Sequence, residues 1–495
     1  MLEVLKKLGK HLSVYGLGML LSRAISFLMI PVYTHYLTPA DYGVLELLDL
    51  TTYVLGIFML LGVSSAVFKF YVEYDNDRDK AQVISTAATF VVLLSLALIS
   101  IAEWKRAFIS RLVFGGSEYS SFYTVALASF LFSTWTEVPM AFLRAQQKSV
   151  NFLAISLARL VCGLGLNIYF IVVLHKGVWG ILLSNFIASI VFAIGLCIDT
   201  YRVAGMHFSL EKLKKLLSFG VPLLPSSVGM FVLVFSDRFF LKHFSTLDEV
   251  GIYSLAYKFG MGLAVLLNSP FLLAWQPQVF ELGKRPDAPR VYSRLTSIYV
   301  FISLTLALVV IVGADAFIRV GTPRSYWKAA SIVPFIVIAY VFDGVKGFFQ
   351  IGMLLKNQTK YIGFATFGTA IANIILNYLL IPRYHAYGAA IATLSCYVIL
   401  ACALYPFSQR LYHIPFAVGK MIKLLLVFTV AAILSITLRA ASPVVDIGLK
   451  LLVFLCFLAI SWFSGFFEPK DKQSLIEEVS SAWDGWRRRK QTVAS

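Results

Sequence analysis

The stretch Thr34-His35-Tyr36-Leu37-Thr38-Pro39-Ala40-Asp41-Tyr42-Gly43-Val44 closes one long apolar segment and opens the next. Thr38 suits a helix N-cap, Pro39 the first helical position and Asp41 the first turn. About 208 residues further on stands a relative, Lys242-His243-Phe244-Ser245-Thr246-Leu247-Asp248-Glu249-Val250-Gly251-Ile252. His35 aligns with His243, Tyr36 with Phe244, Thr38 with Thr246, Asp41 with Glu249, Gly43 with Gly251 and Val44 with Ile252. Thr246 and Glu249 have the spacing of a capping box.

Two further matches follow in the same order. Arg144-Ala145-Gln146-Gln147-Lys148, with Phe152 beyond, aligns with Lys356-Asn357-Gln358-Thr359-Lys360 and Phe364. Asn167 precedes His175 and Gly180, as Asn377 precedes His385 and Gly388. Repeats in one order at nearly one offset indicate a duplicated unit, so the chain consists of two homologous halves.

Composition identifies the solvent. Apolar residues make up 59% of the chain, charged residues only 14%, and the mean hydropathy is +0.79. Apolar runs of about 20 residues, enough to cross a ~30 Å hydrocarbon core, recur along the sequence. Fourteen are expected, at 12–35, 43–68, 83–103, 119–143, 152–174, 178–199, 218–240, 251–280, 295–315, 329–355, 361–382, 388–408, 419–438 and 447–467. The chain therefore reads as an all-α polytopic membrane protein. Residues 1–210 form a first six-helix lobe, 211–410 a second, 411–467 an extra helix pair and 468–495 a cytoplasmic tail.

The formal net charge of +17 follows this topology. With the N-terminus in the cytoplasm, most Lys and Arg fall in the loops of that same side, which places both termini there. Nucleic-acid binding is not implied. The five cysteines lie inside spans without metal-ligand spacing, so neither a disulfide framework nor a zinc site is expected. There is no Walker loop, HExxH or GxSxG, and no connector long enough for a soluble catalytic domain, which argues against an enzyme.

Charged and polar residues inside the spans are the candidate functional groups. Arg23 lies near the middle of the first span, where a charge costs ~3 kcal/mol on insertion scales. It faces either a wet cavity or a partner such as Glu46 or Asp49. Arg159 in span five either snorkels or lines a path. Glu137-Val138-Pro139 should kink span four. Tyr201–Ser218, with Lys212, Lys214 and Lys215 beside Leu210, Leu213, Leu216 and Leu217, reads as an amphipathic linking helix on the membrane surface. Phe219–Pro225 is a bendable entry to the second half, and Asp237-Arg238 follows in span seven. Lys258 sits in span eight. Asp343 and Lys346 in span ten are three apart and either neutralise each other or meet a substrate. Asn373 and Asn377 share a helix face, with Thr393 in the next span. With Asp237 they offer hard oxygen ligands to a small cation, or else ordinary interhelical hydrogen bonds. In the tail, Leu475, Val479, Trp483 and Trp486 beside Arg487-Arg488-Arg489-Lys490 read as an interfacial helix.

The whole chain resembles the polysaccharide-transporter branch of the multidrug/oligosaccharidyl-lipid/polysaccharide exporter superfamily, the O-antigen and oligosaccharide flippases. Ser22-Arg23, Leu37-Thr38-Pro39-Ala40-Asp41-Tyr42-Gly43, the doubled six-span plan and the two extra C-terminal spans carry the likeness. It is also similar to the lipid II flippases of that superfamily. The resemblance implies alternating access by two lobes in a bacterial cytoplasmic (inner) membrane, carrying a polyprenyl-pyrophosphate-linked oligosaccharide. It implies membrane lipids and other polysaccharide-assembly proteins as partners, and no catalysis. Arg23, Lys258, Arg159 and Lys346 would meet the substrate. Asp237, Asn373, Asn377 and Thr393 would hold a coupling cation, with Na⁺ or H⁺ as the coupling ion. The alternatives are a cation-coupled drug or metabolite antiporter of the same superfamily, favoured by twelve spans over fourteen, or a lipid II flippase.

Overall fold

The structure is a computed structural model that describes residues 25–438, 443–463 and 466. Arg23 and the amphipathic tail from Leu475 to Lys490 lie outside the described residues. All regular structure among the described residues is helical. Helix α1 (Ile30–Tyr36) ends at the first turn. The candidate spans follow as α2 (Pro39–Glu73), α3 (Asp77–Trp104), α4 (Ser120–Ala145), α5 (Ser149–Val173), α6 (Gly177–Ala204) and α7 (Leu210–Phe244). The second half continues with α8 (Leu247–Leu272), α9 (Ala288–Gly321), α10 (Arg324–Leu355) and α11 (Lys360–Leu411), and α12 (Val418–Thr437) and α13 (Val445–Phe463) complete the series.

The described residues thus supply 12 helices long and apolar enough to cross a membrane, where fourteen were expected. Two expected spans are not counted separately. Residues 361–382 and 388–408 both lie in α11, whose 52 residues are interrupted at His385 by φ 52° and ψ −128°. Residues 12–35 lie largely outside the described part.

The duplication is visible in the backbone. Thr38 and Thr246 cap α2 and α8 by accepting the N–H of Asp41 and Glu249 at 3.2 and 3.3 Å. Only the first is a full capping box, with Asp41 accepting back from the Thr38 N–H at 3.0 Å. The Glu249 carboxylate instead takes the Ala386 N–H at 3.2 Å and the Lys328 ammonium. Left-handed residues recur at matching places, at Gln147 and Asn357 and again at His175 and His385. Gln147 therefore corresponds to Asn357, not to Thr359: the pairing expected from side-chain similarity is displaced by two residues, because the turn backbone, with Lys148 N–H to Leu143 O and Gln358 N–H to Met353 O, sets the register.

Apolar helices gain little from hydrophobicity inside lipid, so close packing of small residues must join them. The two motif glycines do this. A Cβ on Gly43 would fall on the Leu247 carbonyl oxygen, and one on Gly251 on that of Pro39. This reciprocal contact, with equivalent residues on both sides, has the form of a two-fold interface. It makes the first part of α2 against α8 the most extensive contact between the lobes.

Both helices then break at corresponding depth, α2 at the left-handed pair Leu61-Gly62 and α8 at a π-helical turn, Ala264–Asn268. Beyond the breaks each packs within its own lobe, Val63–Glu73 on α3 and α4 and Ser269–Leu282 on Ile351–Leu355. The contact between the lobes is thus concentrated at the turn end.

The expected kink in span four is present: α4 changes direction at Thr136, between Ser120–Trp135 and Glu137–Ala145. Pro139 has no N–H to give the Trp135 carbonyl, which accepts the Cys197 thiol at 3.8 Å instead. The linking helix is not a free surface helix. Leu210–Gly220 packs on Val63–Glu73 and α3, with Leu216 buried, Lys212 paired to Asp79 at 2.8 Å and its ammonium 3.6 Å above the Tyr74 ring. A carboxylate in the first turn of α3 and an aromatic face hold it to the first lobe. The C-terminal pair α12–α13 packs on α9, and the buried Lys450 of α13 binds Asp315 of α9 at 2.8 Å and Asp446 at 2.9 Å.

Candidate functional site

The site is built on the inner faces of α2, α7 and α8, where the lobes meet. From Val250 to Gly260 every residue of α8 is buried except Lys258. That helix is covered by α2 on one side and α10 on the other, so exposure of this lysine means that it faces the space between the lobes. Its ammonium donates to the Tyr42 hydroxyl and lies 4.6 Å from that ring's centre. Glu46 and Asp49, one turn apart on α2, act on it electrostatically. Asp49 is itself exposed to the same space. Tyr33 of α1 accepts a hydrogen bond from Asn167 of α5 at 3.0 Å nearby.

Deeper in α7 lies a second cluster. Asp237 and Arg238 are 2% and 1% exposed, and one Arg238 nitrogen bridges the Asp237 carboxylate and the Val234 carbonyl at 2.7 Å each. The guanidinium stacks 3.9 Å above the Tyr257 ring and reaches Glu46 of the other lobe at 3.6 Å. The second Asp237 oxygen accepts from the Tyr253 hydroxyl and from Thr393 at 3.3 Å. On α11, Asn373 accepts from Ser236 at 3.2 Å and from Asn377 at 3.0 Å.

Asp237, Asn373, Asn377 and Thr393, grouped as cation ligands on residue chemistry, are therefore brought together and all buried. The set also contains a guanidinium, to which the sequence reading gave no role. With Asp237 paired to Arg238, the second-lobe part of this cluster carries no net negative charge. It does not fit a bound Na⁺ as it stands.

The residues grouped as substrate contacts do not converge. Lys258 faces the interlobe space. Arg159 binds Ser133 and Thr136 at 2.7 and 3.1 Å, filling the bend of α4. Lys346 pairs with Asp343 three residues away and lies 5.5 Å from the Tyr397 ring. Tyr42, Tyr253, Tyr257 and the lobe-crossing role of Arg238 escaped the sequence reading. The adjacent charges at 237 and 238 within an apolar span were the available signal, since an intramembrane pair needs further partners.

An apolar cavity of about 420 Å³ opens between α9, α10, α11 and α12, lined by Val300, Leu304, Val341, Phe349, Tyr405 and Met421 among others.

Residues 8–282 match the family described as polysaccharide biosynthesis protein. The chain belongs to this family. A Shigella flexneri protein provisionally named an O-antigen transporter is 21% identical over 369 residues, 72% of this chain and 87% of its own. Among solved structures, the lipid II flippase MurJ in an inward closed conformation superposes with a TM-score of 0.73 at 15% identity, covering 90% of this chain and 97% of its own. An inward-facing MATE family multidrug transporter of the MOP superfamily gives 0.56 at 14% identity, with 79% and 97% covered. A Vibrio cholerae MATE transporter gives 0.54 at 16%, with 82% and 96% covered. This polysaccharide biosynthesis protein is thus a multi-pass membrane protein of the transporter fold those structures share, and the relatives it resembles are named as transporters and flippases, not enzymes.

Proposed function

We propose that this family member is a flippase. It moves a polyprenyl-pyrophosphate-linked oligosaccharide across the bacterial cytoplasmic membrane by alternating access, and catalyses no covalent step. The observation that carries the reading is Lys258, an intramembrane ammonium turned into the space between two lobes that part beyond it. A glycan cannot cross hydrocarbon with its hydroxyls unsatisfied, so a polar path between lobes is required. A diphosphate at the head of the carrier lipid calls for a cation on that path.

In the present arrangement Lys258 is held by Tyr42 and by the charges of Glu46 and Asp49, all on α2. Rocking of the lobes draws α2 away and frees the ammonium for the diphosphate, so the charge changes partners during the cycle. Arg23 would be the second cationic contact, while Arg159 and Lys346, engaged inside their own lobes, would act when those pairs open. The carrier's polyprenyl tail stays in lipid, and the apolar cavity against α12 supplies a surface for it. Na⁺ or H⁺ remains the proposed source of drive, and other polysaccharide-assembly proteins the proposed partners. The turn end is taken as the outer side, so that the lobes part toward the cytoplasm.

Flipping of a fluorescent polyprenyl-pyrophosphate oligosaccharide in proteoliposomes tests this. Wild type should transport, Lys258→Ala should lose at least about tenfold, as expected for a charge-assisted contact of ~1.5–3 kcal/mol, and Lys258→Arg should retain most activity. Absence of transport by the wild type, with ion-driven efflux of organic cations in its place, would refute the flippase.

A further inference from the structure

We propose that Arg238 is a built-in cation: its guanidinium supplies, from within the chain, the positive charge that the oxygen cluster of Asp237, Tyr253, Thr393, Asn373 and Asn377 requires. This polysaccharide biosynthesis protein therefore has no use for a dissociable cation at that place.

An arginine 1% exposed in the last two turns of α7 is held only by partners that replace its water. Here the partners are unevenly shared. Asp237 and the Val234 carbonyl take one nitrogen, and the Tyr257 ring takes a face. These all lie in the second lobe. Arg238 Nε has no hydrogen-bond acceptor, and a carboxylate oxygen of Glu46 of the first lobe lies 3.6 Å from it. The strong bonds fix the cation in its own lobe, and the longer one crosses the interface.

The rest of the cluster is arranged as an oxygen cage. The Asp237 carboxylate accepts from Tyr253 and Thr393, and the Asn373 carbonyl oxygen faces Ser236 and Asn377. Asn377 Oδ1 is buried without a donor. Oxygens of a carboxylate, two amides and a threonine are the hard ligands a small monovalent cation takes. A second positive charge beside Arg238 would leave the second-lobe cluster with net charge in a low-dielectric interior. Deleting the guanidinium reverses the balance. It leaves a desolvated carboxylate within a set of oxygens, and a void where the side chain stood.

Two consequences follow. The cluster stays neutral through the transport cycle whether or not Na⁺ is present. Glu46, by contrast, gains or loses its guanidinium neighbour as the lobes close or part, which makes Arg238 a positioning residue for closure at the turn end.

The test is thermal unfolding of the purified full-length protein, in NaCl against choline chloride at equal ionic strength. Wild type should show no Na⁺-specific shift. Arg238→Ala should acquire a saturable rise of about 2–4 °C with Na⁺, and Asp237→Asn combined with Arg238→Ala should lose it. Arg238→Lys, which keeps the charge, should stay indifferent. Saturable stabilisation of the wild type by Na⁺ overturns the proposal. So does an Arg238→Ala variant that is unresponsive to Na⁺ or unfolded at every Na⁺ concentration. Flipping is not needed for any of these readouts, so the result stands apart from the substrate assigned above.

Discussion

Thr38 and Thr246 do the same work in two copies of one turn, but the acid three residues on has diverged. Asp41 turns back to its own cap, bonding the Thr38 N–H at 3.0 Å and the Thr38 hydroxyl at 2.7 Å. Glu249, one methylene longer, reaches out instead, to Lys328 of α10 and the Ala386 N–H just past the His385 break. A local cap is worth about 1 kcal/mol. A partly buried carboxylate that satisfies a backbone donor and a cation on two other elements is worth about 2–3 kcal/mol, because its loss strands both partners. Thermal unfolding in detergent should therefore find Glu249→Ala clearly more damaging than Asp41→Ala, and equal losses would refute the cross-element role. The spacing of Thr, Asp and Glu made both helix starts legible in the sequence. It could not reveal that one carboxylate leaves its helix, since that depends on where α10 and the His385 break come to lie.

At the scale of elements, repeat and packing explain each other. Gly43 and Gly251 align in the sequence, and in the fold each lies under the backbone of the other's helix. Neither neighbour is a flexible side chain, so a methyl group at either place must separate α2 from α8. Gly251→Ala should cost about 1–3 kcal/mol by overpacking and bias the lobes apart at the turn end. In a background cleared of the five native cysteines, Lys258→Cys should then react faster with a small polar maleimide when Gly251→Ala is added; an unchanged rate would mean that the glycines matter only for folding. Other element features divide by cause. The bend of α4 was legible because Pro139 removes a donor. The breaks at Leu61-Gly62 and Ala264–Asn268 were passed over, although Gly62 and Pro270 stand at them, because the apolar pattern runs through unchanged. The meeting of Asp237 with Asn373, Asn377 and Thr393 was foreseen from ligand chemistry, whereas the guanidinium among them was not, since adjacency along a helix gives no view of what lies across it.

For the whole molecule, the direction of transport depends on which face the turns occupy. Among the described residues the contact between the lobes is concentrated where α2 meets α8, from the turns to the breaks, so the turn end is the closed one. On the proposed orientation, in which the surplus of Lys and Arg marks the cytoplasmic side, the turns lie outside and the lobes part toward the cytoplasm, where the proposed lipid-linked glycan would load. Two exposed positions can decide it. His35 lies beside the first turn, and Met206, 83% exposed, lies between α6 and the linking helix at the opposite end. With the native cysteines replaced, a membrane-impermeant maleimide should label His35→Cys on intact spheroplasts and Met206→Cys only after permeabilisation. The reverse pattern would turn the closed end to the cytoplasm, put the ammonium of Lys258, proposed to meet the diphosphate, on the wrong side for loading, and remove the charge asymmetry as a guide to orientation. Labelling of both positions from outside would refute the antiparallel relation of the turn and the linking helix, and with it the pairing of the two lobes across the Gly43–Gly251 contact.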